Sequence, residues 1–198
     1  IGNTWVFSHD SFMVGEDGPT HQPVEHLNSF RAMPNVITLR PADANETAEA
    51  WRSAITRSDG PTILALSRQA IPTLDREKFA SAKGLHKGAY VLADLGDRPA
   101  ELVLMASGSE VDLIVKAGQI LAEEGVSVRL ISFPSLELFE TQSKEYQDLV
   151  MLPNVKARLV VEAGTSFGWY RWVGPEGAMI TMDHFGASAP AERLAVEF

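Results

Sequence analysis

The segment "ELVLMASGSEVDLIVKAGQILAEEGVSVRLIS", residues 101–132, gives the clearest indication of the fold class. Two apolar runs of strand length, 101–107 and 126–132, flank a segment whose apolar residues recur every three or four positions, with Ser109 as a candidate N-cap and Gly125 just past its end. The apolar residues at this helical spacing are Val111, Ile114, Val115, Gly118 and Leu121. Strand, helix and strand with nearly continuous apolar strands predict a parallel sheet covered on both faces.

The rest of the chain repeats this alternation. Residues 44–58 predict a second amphipathic helix, and Asp43 followed by Glu46 resembles a capping box at its start. The apolar positions of that helix are Ala44, Ala48, Trp51 and Ile55. Further runs of strand length are 4–8, 35–40, 62–67 and 157–163. The sequence therefore predicts an α/β fold.

The middle of the chain interrupts the pattern. After residue 73 the periodicity fades, charge rises, and glycines occur at 84, 88 and 96. We therefore expect two parallel-sheet α/β units, residues 1–73 and residues 98–198, joined by a surface linker over 74–97. The chain opens without an initiator methionine and stops within a helix-like "PAERLAVEF" that has no capping glycine. These features lead us to expect an internal piece of a longer protein.

Composition excludes several classes of function. A net charge of −9 and a pI near 5.0 argue against nucleic-acid binding, which needs a basic surface. The absence of cysteine excludes disulfides, thiolate zinc sites and thiol nucleophiles, and is consistent with a cytoplasmic location. No apolar run approaches the roughly 20 residues that cross a bilayer, so we expect no membrane segment.

The connector "FSHDSFMVGEDGPTHQP", residues 7–23, is rich in groups that carry chemistry. Its possible metal ligands lack the helical spacing that places two imidazoles on one face, so we predict no metal site. Those ligands would be His9, Asp10, Glu16, Asp17 and His21. The serines of the chain lack the Gly-x-Ser-x-Gly elbow of a nucleophile. "SGSE" at 107–110 is read as a helix cap in preference to an anion site.

Recognition of an outside ligand explains the connector better. His9 follows the first predicted strand, and Arg68 follows the strand 62–67 in the matching position. Carboxyl ends of parallel strands are where α/β sheets build their sites. A guanidinium there can bind a phosphate bidentately, Asp17 can accept a hydrogen bond from a hydroxyl, and His21 can donate one or shuttle a proton. These residues indicate a pocket for a polyol or a sugar phosphate.

Several motifs together resemble the transketolase family, in order along nearly the whole chain. They are "HDSFMVGEDGPTHQPVEHLNSFRAMPN", "RPADANETAEAWR", "GPTILALSRQ", "VRLISFPSLELF", "VVEAG" and "DHFGASAP". "GEDGPTHQP" is the most specific and is shared mainly with dihydroxyacetone synthase. The resemblance implies that His9 and Arg68 bind the sugar phosphate group, that Asp17 contacts a substrate hydroxyl, and that His21, the one possible catalytic residue, lies near the reacting carbons.

The resemblance also implies what lies outside the chain. It covers the later part of the pyrimidine-binding domain and most of the Rossmann-like C-terminal domain. Transketolase transfers a two-carbon ketol unit between sugar phosphates, using thiamine diphosphate and Mg²⁺ held between the subunits of a homodimer, with an activating glutamate that would lie upstream. We therefore expect the isolated chain to bind no cofactor and to be inactive. The C-terminal unit would be structural and would help dimer packing.

Two alternatives to a transketolase remain open at this point. Dihydroxyacetone synthase would take formaldehyde as its acceptor. A free-standing relative without catalytic activity would act as a binding module. Phe12 and Met13 depart from the smaller residues that are familiar in this loop of the family, and this departure leaves the preferred donor and acceptor open.

Overall fold

The computed structural model describes residues 1–198, which form eight β-strands and seven α-helices. The strands are β1 (Asn3–Phe7), β2 (Ile37–Leu39), β3 (Pro61–Ala65), β4 (Tyr90–Leu95), β5 (Leu102–Ala106), β6 (Val128–Ser132), β7 (Arg158–Val161) and β8 (Ala178–Ile180). The helices are α1 (His26–Arg31), α2 (Ala44–Thr56), α3 (Glu110–Glu123), α4 (Leu136–Glu140), α5 (Lys144–Met151), α6 (Tyr170–Val173) and α7 (Ala191–Glu197). Every strand predicted from an apolar run is present.

The strands form two sheets, which confirms the α/β prediction. β1, β3 and β2 make a parallel three-stranded sheet in that order. The larger sheet has the order β4-β6-β5-β7-β8 and is parallel except for β4, which pairs antiparallel with β6. The second unit is therefore not wholly parallel. An antiparallel strand at the edge of an otherwise parallel sheet is a common arrangement.

The segment 74–97, predicted as a surface linker, contains regular structure. It holds a 3₁₀ helix (Ala82–Lys87) and the whole of β4. Its glycines mark close packing: a methyl group at Gly84 would lie 2.2 Å from the Tyr90 ring, and one at Gly88 would lie 2.1 Å from the Phe139 nitrogen. Two of the glycines that suggested a surface linker instead let the chain pack tightly against its neighbours.

Helix α3 begins and ends almost where its sequence pattern indicates. Gly125 follows it with φ +87°, the left-handed conformation typical of a residue beyond a helix end. Ser109, however, does not cap the helix with its side chain, because its hydroxyl donates to the neighbouring Glu110 carboxylate over 2.6 Å. The helix N-terminus is instead engaged by the first unit, as described below.

The buried face of helix α2 differs from the one that the sequence pattern predicted. Asp43 caps it as expected, accepting from the Glu46 amide at 2.8 Å. The buried positions are Glu46, Ala50 and Ala54, whereas the predicted stripe of Ala44, Ala48, Trp51 and Ile55 is exposed. The small side chains of Ala50 and Ala54 pack against the small sheet in one apolar cluster with Leu39 and Leu64.

The larger sheet is covered on both faces. Successive residues of β5 belong to opposite clusters: Val103 and Met105 pack with an aromatic group, and Leu104 and Ala106 pack under α3. The aromatic group consists of Phe133, Phe139, Trp169 and Trp172. None of the helices has the length and apolar character that crossing a membrane requires.

Candidate functional site

The parallel pairing of β1 with β3 brings His9 and Arg68 to the same edge of the small sheet. Phe7 lies opposite Ala65, and the Leu66 amide donates to the Phe7 carbonyl over 2.7 Å. His9 and Arg68 each follow within three residues of these strand ends. Arg68 is exposed and forms no ion pair within the chain, so its guanidinium is available to a ligand.

The two predicted site histidines share a local arrangement. The Ser8 hydroxyl lies 3.0 Å from Nδ1 of His9, and the Thr20 hydroxyl lies 2.9 Å from Nδ1 of His21. When each hydroxyl donates to Nδ1, the ring proton lies on Nε2, which has no partner within the chain. Both rings and Asp17 are exposed. The loop thus presents two potential donors and one carboxylate to solvent.

The loop that carries these groups lies against the second unit. A 3₁₀ helix (Phe12–Val14) is followed by Gly15 and Gly18, both with positive φ, +87° and +81°. Phe12 is half-buried and meets the Phe198 ring edge-on, with centroids 5.9 Å apart. Its side chain therefore packs against the second unit.

A buried ion-pair network beneath this loop was missed by sequence reasoning. Arg40 follows β2 and is fully buried. Its Nε donates to Asp10 over 2.7 Å, and its Nη1 donates to the Ser107 carbonyl over 2.8 Å and to the Glu110 carboxylate. Burial alone would lower the pKa of Arg40, but the carboxylates of Asp10 and Glu110 raise it. Arg40 therefore stays charged and ties the first unit to the start of α3.

Glu162, directly after β7, forms the second part of the network. Its carboxylate accepts two hydrogen bonds from Arg31, both 2.7 Å long, one from the Ser107 hydroxyl and one from the Trp169 indole. Burial tends to raise its pKa, but the charges of Arg31 and Arg40 with these hydrogen bonds outweigh burial and hold the pKa of Glu162 at about 2.

The network lies at the carboxyl end of the larger sheet, at the position where open α/β sheets commonly bind ligands. β5 has β6 on one side and β7 on the other, so its carboxyl end is a topological switch point. Arg40 fills this point, with its carbonyl accepting from the Gly108 amide over 3.0 Å. A methyl group at Gly108 would lie 2.7 Å from the guanidinium carbon. The turn "SGSE", residues 107–110, therefore contacts Arg40 of the first unit at this switch point.

The low pKa of Glu162 predicts how acid acts on the fold. A folded pKa of about 2 against the ordinary 4.5 means that its stabilising contribution is complete above about pH 4.5 and is lost as the pH falls toward 2. That contribution is on the order of 3 kcal/mol. Burial raises the pKa of Glu46, so the contribution of Glu46 to stability changes with pH in the opposite direction. In Glu162→Gln, the free energy of unfolding measured with urea should therefore fall less steeply as the pH is lowered through the acid range. The exposed Glu176→Gln is the control, and equal slopes in both variants would contradict the prediction.

The structure contains no cluster of side chains that could coordinate a metal ion. No group of three or more histidine, aspartate or glutamate side chains lies close enough together to hold a cation. Of the predicted site residues, His9 and Arg68 lie at one edge of the small sheet, and Asp17 and His21 lie on the loop that follows β1.

Comparison with known proteins identifies the family. Residues 1–73 match the model of the transketolase pyrimidine binding domain, and residues 88–198 match that of the transketolase-like C-terminal domain. The chain is 52% identical over 194 residues to a transketolase from Geobacillus stearothermophilus, covering 98% of the chain and 29% of that relative. A transketolase from Bacillus subtilis is 49% identical over 195 residues, with the same two shares.

A solved structure gives the same result. A transketolase from Pichia stipitis in complex with sedoheptulose 7-phosphate superposes with a TM-score of 0.88 at 40% identity, covering 98% of this chain and 27% of that one. The chain thus spans less than a third of the length of these relatives. Because the two transketolase family models together match most of its residues, the chain belongs to the transketolase family.

Proposed function

We propose that the chain supplies part of the sugar-phosphate site of a transketolase, which transfers a two-carbon ketol unit from a ketose phosphate to an aldose phosphate. The observation that carries this proposal is the shared edge of β1 and β3, where His9 and an unpaired Arg68 lie at neighbouring strand ends. The named relatives favour transketolase over dihydroxyacetone synthase. The complex with sedoheptulose 7-phosphate in a relative supports sugar phosphates as the ligand class.

Each exposed side chain receives one role. Arg68 and His9 bind the phosphate, since a guanidinium forms charged hydrogen bonds to phosphate oxygens and the Nε2–H of His9 adds a donor. Asp17 accepts a hydrogen bond from a substrate hydroxyl, which fixes the configuration that the site tolerates. His21 lies near the reacting carbons and can donate to a carbonyl oxygen or accept a hydroxyl proton.

The cofactor would be bound largely by residues outside this chain. Thiamine diphosphate, which the pyrimidine-binding region implies, supplies the nucleophilic carbon, and Mg²⁺ would neutralise its diphosphate. The absence of a cation-binding cluster among these residues supports placing Mg²⁺ elsewhere in the protein. A homodimer, in which two subunits share the cofactor, and a cytoplasmic location complete the proposal. We place the second domain from about residue 88, so that it includes β4.

Activity of the chain with and without its missing partners tests the proposal. The full-length enzyme, supplied with thiamine diphosphate and Mg²⁺, should convert xylulose 5-phosphate and ribose 5-phosphate, whereas the 198-residue chain alone should give no turnover. The physical reason is that the chain carries the substrate wall without the residues that activate the cofactor. Measurable turnover by the isolated chain, or none by the full-length enzyme, would contradict it.

A further inference from the structure

A buried glutamine joins the substrate loop to the second unit. Gln22 is only 3% exposed, although it lies next to the exposed His21. Its side-chain nitrogen donates to the Gly15 carbonyl over 2.8 Å and to the Ala187 carbonyl over 2.9 Å. Both amide hydrogens are therefore used, one within the loop and one across to the second unit, and the orientation of the carboxamide is fixed.

The backbone between Gly15 and Gln22 closes into a compact loop. The Gly18 amide donates to the Gly15 carbonyl over 3.1 Å, and the amides of His21 and Gln22 donate to the Gly18 carbonyl over 3.0 and 3.2 Å. The Gln22 side chain spans the base of this loop. Asp17 and His21 lie on it with exposed side chains, so the position of the base sets the position of both groups.

Residues 186–188 of the second unit are shaped for this contact. A methyl group at Gly186 would lie 1.7 Å from the Gln22 side-chain oxygen, so only glycine admits the carboxamide there. The Ser188 hydroxyl donates to the Glu16 carbonyl, one residue before Asp17. The second unit thus holds the loop at two points: the Ala187 carbonyl accepts from Gln22, and the Ser188 hydroxyl donates to Glu16, while the side chains of Asp17 and His21 stay exposed.

We propose that Gln22 is a positioning residue for substrate binding and that Gly186 and Ser188 of the second unit hold the loop that carries Asp17 and His21. This inference rests on the proposed function of the loop. Gln22 touches backbone and no ligand, so its effect passes through Asp17 and His21. The C-terminal unit then does more than pack: it sets the geometry with which the first unit meets a substrate hydroxyl.

Replacing Gln22 by methionine in the full-length enzyme tests the proposal. Gln22→Met keeps the volume and removes both hydrogen bonds, so the loop base is released. We expect KM for the ketose phosphate to rise about tenfold, since two neutral hydrogen bonds are each worth several-fold in an equilibrium, while kcat changes less. Hydrogen exchange at the amides of Gly18 and His21 should accelerate by a similar factor.

The matched control is a glutamine with the same kind of contacts far from the loop. The Gln147 side chain donates to the carbonyls of Phe139, Glu140 and Gln142 within the second unit. Gln147→Met should lower the melting temperature comparably and leave KM and loop exchange unchanged. Ser188→Ala removes one contact to the loop and should raise KM by a smaller factor, so it decides the matter if Gln22→Met fails to fold.

The outcomes separate this inference from the proposed function. Equal KM values in Gln22→Met, Ser188→Ala and the unmodified enzyme would overturn the positioning role, even if Gln22→Met unfolds at a lower temperature. Absence of ketol transfer in the unmodified full-length enzyme would overturn the proposed function. In that case the exchange rates still decide whether Gln22 holds the loop, because they need no substrate.

Discussion

Arg40→Met should lower the free energy of unfolding by about 3–5 kcal/mol, the cost of removing one partner from a buried ion pair. The side chain is fully buried and donates hydrogen bonds to Asp10, Ser107 and Glu110. Methionine fills much of the volume but leaves the carboxylates of Asp10 and Glu110 without their cation in a site with little water. Urea unfolding followed by tryptophan fluorescence would measure the loss.

Two further variants make the Arg40 result specific. Arg52→Met removes an exposed arginine that pairs with Glu49, and a surface pair of this kind is worth less than about 1 kcal/mol. Adding Asp10→Asn and Glu110→Gln to Arg40→Met removes the orphaned charges and should restore part of the stability. A loss in Arg40→Met no larger than that in Arg52→Met would show that the network does not stabilise the fold.

Arg68→Ala should raise KM for a phosphorylated ketose by about 10- to 150-fold in the full-length enzyme. The reason is the loss of a charged hydrogen bond to phosphate, worth about 1.5–3 kcal/mol. Arg68 is exposed and unpaired in the chain, so its removal should not destabilise the fold. Steady-state kinetics with xylulose 5-phosphate would measure the change.

The substrate itself provides the control for Arg68. An unphosphorylated ketose has no group for the guanidinium, so its KM should be the same in Arg68→Ala and in the unmodified enzyme. Arg52→Ala, an exposed arginine on α2, should leave both KM values unchanged. If Arg68→Ala shifts KM equally for both ketoses, Arg68 acts through the fold and not through the phosphate.

Local patterns predicted six of the eight strands and the approximate bounds of α2 and α3, because these features depend on neighbouring residues, whereas β4 and β8 were not predicted. The run 101–107, the helical spacing after Ser109 and the glycine at 125 all correspond to elements in the structure. The face of α2 could not be predicted in this way. Alanine is compatible with either face of a helix, and which face is buried depends on the approach of Leu39 and Leu64 from distant parts of the chain.

In the candidate site, too, some residues could be placed from local sequence and others only from the tertiary fold. His9 and Arg68 could be placed together from sequence because parallel strands align their carboxyl ends, although their binding roles remain a prediction. Arg40 and Glu162 also follow strands, in "VITLR" and "LVVEA", but nothing local distinguishes a buried charge from an exposed one. Their oppositely charged partners lie 30 to 131 residues away, so only the tertiary fold reveals the pairing.

The ion pairs between the units bear on how such a chain can evolve. Arg31 and Arg40 come from the first family region, whereas Glu110 and Glu162 come from the second. A recombination event that replaced one region alone would leave buried charges facing an unrelated surface, at a cost of several kcal/mol for each unpaired ion. The two regions are therefore expected to be inherited together, with substitutions at these four positions arising in concert.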